Sequence, residues 1–375
     1  MTKPLADYVS DRARKVDASG IRRVFDLAAK LDDPINLSIG LPDFDVPDEA
    51  KQVACDAIHR GENRYTPTQG IAPLRERIAA DHGVPVGQVF ITSGVSGGLF
   101  LSILACVNPG EEVAFLDPYF VMYRHLATMA GGVSVAIDSY PDFRFDSAKV
   151  EAKLTDKTKL LILNTPANPT GVTMSESDVR AAADLAKKHD LMVVSDEIYV
   201  PFLYGDAKGG GDVPSISTIY DKTILLRGFS KTYGMTGWRL GYAIAPEPIV
   251  EQMIKLQQYT YVCAPSPFQH AALAALDLPT ETHIANYRTK RDIVVDTLGD
   301  TFELTTPDGA FYAFPKVPDR LGLTATQFVE KAIEKNVLVI PGNVFSSRDT
   351  HFRISFATTD EKLRKGCELL RDLCK

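Results

Sequence analysis

The sequence predicts an α/β protein in which a mostly parallel sheet is covered by helices on both faces, joined to a second, smaller α+β part. Three observations predict it. Short runs such as Lys159-Leu160-Leu161-Ile162-Leu163 and Leu191-Met192-Val193-Val194-Ser195 are almost wholly apolar, as strands buried on both faces are. Amphipathic helical stretches separate these runs, which suits crossover connections. Asn168, Asp196 and Lys231 fall just beyond the ends of three of the runs, where parallel sheets bind ligands.

Taken in order, residues 1–19 are polar and read as an arm. Ser19 is placed to cap a helix over Ile21–Ala29. Ile35–Ile39 reads as a strand ending at Gly40, and Pro47 stands where a helix through Arg60 begins. Ile71–Ala80 is helical, Val89–Thr92 a strand, and Ser93–Gly98 opens an apolar helix to Val107. Strand Glu112–Leu116, helix Tyr119–Met129, strand Val133–Ile137 and strand Lys159–Leu163 follow. Ser175 and Asp178 form a capping-box pattern for a helix reaching His189. Strands Leu191–Ser195, Thr223–Arg227 and Leu240–Ala245 come next. Gly209-Gly210-Gly211 reads as a loop tip, because no strand-to-helix switch surrounds it. Glu247–Leu298 is mainly helical. The last quarter mixes strands (Phe311–Phe314, Val337–Ile340, Phe352–Phe356) with helices (Thr324–Lys335, Asp360–Leu373).

Composition narrows the function classes. With 375 residues there is room for more than one domain. The formal net charge is −7 and no basic block occurs, so nucleic acid and anionic membrane are not expected partners. No apolar signal core or membrane-length run is present. Five scattered cysteines without a Cys-x-x-Cys pair fit reduced thiols in a cytoplasmic protein. No histidine pair has metal-ligand spacing, so no metal is expected.

The chemistry collects around Ser230-Lys231-Thr232-Tyr233-Gly234-Met235-Thr236-Gly237-Trp238-Arg239. A lysine near cationic neighbours can be a neutral amine nucleophile at working pH. The turn Ser93–Gly98 joins a strand to a helix, and its backbone N–H groups suit an anion such as phosphate. A lysine, a carboxylate and a phosphate cradle at one sheet edge suit pyridoxal 5′-phosphate, which needs an amine partner and a carboxylate at its ring nitrogen. Dinucleotide and P-loop signatures are missing.

The chain resembles the class I aminotransferases of pyridoxal-phosphate fold type I, in the subgroup named for aspartate and aromatic amino acids. The matching pieces run in the family's order: Ser38–Phe44, Tyr65–Gly70, Pro118–Tyr123, Asn164–Gly171, Ser195–Tyr199, the lysine stretch, and Phe352–Phe356. The resemblance implies a large domain with a mostly parallel seven-stranded sheet over residues 47–276. It implies a small domain built from residues 1–46 and 277–375.

It also implies roles. Lys231 holds the cofactor and moves the substrate proton. Asp196 pairs with the ring nitrogen. Asn168 and Tyr199 bond the ring's phenolic oxygen. Arg239 and the backbone at Gly94, Val95 and Ser96 hold the phosphate, and Phe120 stacks on the ring. Arg353 grips the substrate α-carboxylate in a bidentate fork, with the Gly40 backbone close by. Tyr65 reaches the neighbouring subunit's phosphate in a homodimer with shared sites. The plainer readings are a solvated lysine, an Asp196 helix cap, an Asn168 turn, core aromatics at Tyr199 and Phe120, and a surface Arg353 on an edge strand.

Two departures from the family stand out. Gly228 stands where many members place a phosphate-binding serine, so the phosphate either loses one hydroxyl contact or borrows another from Ser96 or Ser230. Phe120 stands where some relatives carry tryptophan. The implied activity is transfer of the amino group of an L-amino acid (aspartate, aromatic or similar) to a 2-oxo acid such as 2-oxoglutarate, by a ping-pong cycle. The alternatives are a β-lyase of the same fold and a non-catalytic cofactor-binding regulatory module.

Overall fold

The computed structural model describes residues 4–18, 20, 24, 31–204 and 213–375. Of the helix expected over Ile21–Ala29 only Val24 is described; its Ser19 cap and the loop tip Gly209–Gly211 lie outside the described residues.

A short strand β1 (Ile35–Asn36) precedes the main sheet. That sheet contains β2 (Val89–Thr92), β3 (Glu112–Asp117), β4 (Val133–Asp138), β5 (Thr158–Asn164), β6 (Met192–Asp196), β7 (Thr223–Gly228) and β8 (Gly241–Ile244). Their order is β2-β8-β7-β6-β5-β3-β4. β8 runs opposite to the other six strands; β6, for example, pairs in parallel with β5 and β7.

Both faces of this sheet are buried, which is why its strands are apolar throughout. On one face Phe90, Leu160, Ile162, Val194 and Leu226 pack with Leu99 and Ile103 of the helix Gly94–Cys106. On the other, Leu161, Leu163 and Val193 meet Val179, Ala182 and Leu185 of the helix Glu176–Lys188. Val89, Ile91 and Leu225 pack with Ala50, Leu74 and Ala272 from three further helices. The Ser175–Asp178 capping box is present, and Pro47 immediately precedes the helix Asp48–His59.

The C-terminal part holds β9 (Tyr312–Ala313), β10 (Val337–Leu338), β11 (Ile340–Pro341) and β12 (Phe352–Ser355). β11, β12 and β9 form an antiparallel sheet with β12 in the middle. Arg353 therefore sits on a central strand, and it is 1% exposed. The reading of Arg353 as a surface residue on an edge strand is thereby excluded. The strand expected over Ile35–Ile39 is paired only at Ile35 and Asn36, and its partner is β10. The expected helix Tyr119–Met129 begins instead at Met122, and the Tyr119 N–H ahead of it bonds the Phe345 carbonyl at 2.8 Å. The region Glu247–Leu298 resolves into helices Glu247–Gln258, Ser266–Ala275 and Glu281–Leu298. Among the described residues no helix is long and apolar enough to cross a membrane.

Candidate active site

Six strands of the main sheet end or begin at one edge, and each delivers a side chain or backbone group there. β2 leads into Gly94, Val95 and Ser96; β3 into Phe120; β5 into Asn164 and Asn168. β6 ends on Asp196 and is followed by Tyr199, while β7 leads into Ser230 and Lys231. Arg239 stands just before β8. β12 adds Arg353, and the segment after β1 adds Gly40. All of these except Gly94 line one cavity of about 370 Å³, a size suited to a small ligand. Its charged lining is three cations, Lys231, Arg239 and Arg353, against one carboxylate, Asp196.

Lys231 lies on the single-turn helix Phe229–Thr232 and is half-buried. Its Nζ donates to the Gly40 carbonyl at 2.5 Å. Burial, then the charges of Arg353 and Arg239, bring its pKa down to about 8. Asp196 is the last residue of β6 rather than the first beyond it, and no helix follows it. This removes the helix-cap reading of that aspartate. Burial raises its pKa to about 6, while a 2.7 Å bond from the Tyr123 hydroxyl to Oδ2 opposes the rise.

Asn164 organises the middle of the site. Its Nδ2 donates to the Asp196 carbonyl at 2.9 Å, and its Oδ1 accepts from the Asn168 N–H at 2.8 Å. The Asn168 Oδ1 in turn accepts from Arg353 Nη1 at 2.9 Å. Arg353 Nη2 donates to the Ser38 carbonyl at 2.7 Å, and Nε has no partner. The rings of Tyr312 and Phe345 each lie 4.6 Å from the guanidinium carbon. This sandwich fixes the plane of the fork.

At the opposite corner Arg239 Nη2 donates to Ser96 Oγ at 2.6 Å. Arg239 has φ +54°, a conformation that non-glycine residues adopt only under constraint. Gly94 has φ +70°, and an added Cβ there would lie 2.7 Å from Arg239 Nη2. The turn and the arginine thus share a space that only glycine leaves open. Gly228 has a similar reason: an added Cβ would meet Val95 Cγ2 at 3.1 Å and both Ile198 Cδ1 and the Leu240 carbonyl at 3.2 Å. A serine does not fit there without displacement. Ser96 and Ser230 both face the cavity instead.

Phe120 is half-buried and lines the cavity, edge-on to Tyr123. Tyr65 does not line this cavity. It is 82% exposed and borders a neighbouring depression together with Ser96, Arg239 and Tyr261. Three residues escaped the sequence reading: Tyr123, Asn164 as an organiser, and Tyr312. Each sits in an apolar or turn pattern that has a plain packing explanation, so composition gives no signal. Their bonds to Asp196, Asn168 and Tyr199 set them apart.

A profile of the family described as "Aminotransferase class I and II" matches residues 32–370. The chain is 37% identical to aromatic-amino-acid aminotransferase 2 of Thermococcus litoralis, covering 98% of each chain. It is 36% identical to the aspartate aminotransferase of Pyrococcus abyssi, again covering 98% of each. Among solved structures, a single mutant of Thermus thermophilus aspartate aminotransferase superposes with a TM-score of 0.92 at 32% identity. That match covers 97% of this chain and 99% of the other. The chain belongs to the class I and II aminotransferases, enzymes that move an amino group between an amino acid and a 2-oxo acid.

Proposed function

We propose that this aminotransferase works with pyridoxal 5′-phosphate, taking the amino group of an L-amino acid of the aspartate or aromatic kind and passing it to a 2-oxo acid such as 2-oxoglutarate in a ping-pong cycle. The observation that carries this reading is Lys231, held with its amine in a cavity that also presents Asp196, Arg239 and Arg353. Three cations against one carboxylate suit a ligand set of one phosphate and one carboxylate. The space reserved at Gly94 beside Arg239 suits the phosphate.

When bound, the cofactor supplies an electron sink for the substrate α-carbon and a carrier for its nitrogen. The chain does the rest. Lys231 holds the cofactor through its amine and, once released, moves a proton at the substrate α-carbon. Its lowered pKa favours the neutral amine that this requires. Asp196 keeps the ring nitrogen protonated; with a pKa of about 6 it is a carboxylate at neutral pH. Asn168 and Tyr199 bond the phenolic oxygen, Phe120 covers the ring, and Arg239 with Gly94–Ser96 and Ser230 holds the phosphate. Arg353 and the Gly40 backbone, which both line the cavity, receive the substrate carboxylate.

Residues 47–276 form the cofactor domain in this reading, and residues 1–46 with 277–375 form the smaller one. The pairing of β1 with β10 supports that grouping. A homodimer in which Tyr65 reaches the partner's phosphate suits its exposure beside Ser96 and Arg239.

Borohydride reduction followed by peptide mapping tests the cofactor assignment. The expected product carries the cofactor on Lys231, and Lys231→Ala loses turnover by about 10⁴-fold or more. Attachment at another lysine, or full activity in the variant, removes the reading. A half-reaction screen of amino acids then identifies the donor. Release of ammonia in place of nitrogen transfer assigns a lyase.

A further inference from the structure

Tyr312 lies on β9, paired with Ser355 of β12, and is 1% exposed. Its ring covers the Arg353 guanidinium at 4.6 Å. Its hydroxyl lies 2.8 Å from the hydroxyl of Tyr199. The same hydroxyl fills the space against Gly40, where an added Cβ would stand 2.1 Å from it. A residue of the C-terminal sheet therefore ends on a residue of the main sheet's edge.

A phenol has one proton. If Tyr199 gives its proton to the cofactor's phenolic oxygen, only its lone pairs remain for the bond to Tyr312. Tyr312 must then be the donor. A phenol that accepts a hydrogen bond is a stronger donor itself. A stronger donor at the phenolic oxygen favours the anionic oxygen and so disfavours a proton on the nitrogen shared by Lys231 and the cofactor. The groups facing this pair are Arg353 and Lys231, with Asp196 and its partner Tyr123 beyond Tyr199 and Arg239 beyond Lys231. None of them donates to the Tyr199 oxygen.

We propose that Tyr312 is a positioning residue that tunes the proton affinity of the Lys231–cofactor bond by donating to Tyr199. This rests on the roles proposed above for Lys231 and Tyr199. The experiment is a pH titration of the visible absorbance of the holoenzyme without substrate, comparing wild type, Tyr312→Phe, Tyr199→Phe and the double variant. Tyr312→Phe removes one oxygen and keeps the ring over Arg353. Its titration midpoint is expected to rise by about half a unit, the scale of one cooperative hydrogen bond. Tyr199→Phe is expected to raise the midpoint further, and the double variant to match Tyr199→Phe alone.

An unmoved midpoint in folded Tyr312→Phe overturns the proposal. So does a Tyr312→Phe shift that persists in full on the Tyr199→Phe background, because Tyr312 would then act through Arg353 or packing. If Tyr312→Phe fails to fold, the Tyr199→Phe arm still decides, since an unmoved midpoint there removes the relay. Absence of any Lys231-linked chromophore in the wild type is a different outcome and sinks the cofactor assignment itself.

Discussion

Lys231 and Asp196 are shifted in opposite directions by one cause. Burial disfavours the charged form of each, lowering the lysine to about 8 and raising the aspartate to about 6. The lysine has a stability consequence in protein free of cofactor. Between about pH 8 and 10.5 the unfolded lysine holds a proton that the folded one has released, so stability rises with pH across that window. Below pH 8 the penalty is present in full. Lys231→Met is therefore expected to stabilise the cofactor-free protein at pH 7 by on the order of 1–3 kcal/mol, with the gain vanishing above pH 10. Urea unfolding at the two pH values measures it. Equal stabilities at pH 7 would mean that the amine reaches water. Lys231 and Asp196 stood out in the sequence because charged residues beside apolar strands are uncommon, whereas Arg353 came only from the family resemblance, its alternation with Phe352 and Ile354 reading as a surface position. Tyr312 was not, because an aromatic in the run Ala310-Phe311-Tyr312-Ala313-Phe314 reads as core.

At the scale of elements, the strands of the main sheet were legible from hydrophobicity alone, within about a residue at each end. What hydrophobicity does not carry is direction. Leu240–Ala245 reads the same whether parallel or antiparallel, and β8 proves antiparallel to both neighbours. The connection from β7 to β8 holds only single-turn helices, too little for a crossover. Pairing partners were also hidden: nothing in Ile35–Ile39 points to Val337. Packing around β7 gives a definite expectation for its last residue. Gly228→Ser introduces the hydroxyl that the family resemblance leads one to expect but presses its Cβ on Val95, Ile198 and the Leu240 carbonyl. It is expected to lower stability by about 1–3 kcal/mol and to weaken cofactor retention, read by denaturant unfolding and by dialysis. A variant as stable as wild type that holds the cofactor more tightly would show that the β7 turn yields easily.

Over the whole molecule, the site closes only when distant segments meet. The loop after β1 brings Gly40, and helix Glu281–Leu298 holds that loop through Asp43. The Tyr287 hydroxyl donates to Asp43 Oδ1 at 2.7 Å and accepts from the Asp43 N–H at 3.1 Å. Lys290 pairs with Asp43 Oδ2, and His283 stacks on Phe44 with ring centroids 3.8 Å apart. The chain order hides this arrangement, since 244 residues separate Asp43 from Tyr287.

The Lys231–Gly40 bond couples that loop to the proton on the amine. An N–H donor keeps its lone pair, so the carbonyl does not block an aldehyde; it favours the ammonium over the reactive amine. Tyr287→Phe removes the bonds its hydroxyl makes to Asp43, loosens the loop, and is expected to speed aldehyde labelling of the cofactor-free protein at pH 7 about three- to tenfold. Stopped-flow absorbance reads the rate directly, and an unchanged rate would mean that the Gly40 carbonyl holds its place without Tyr287.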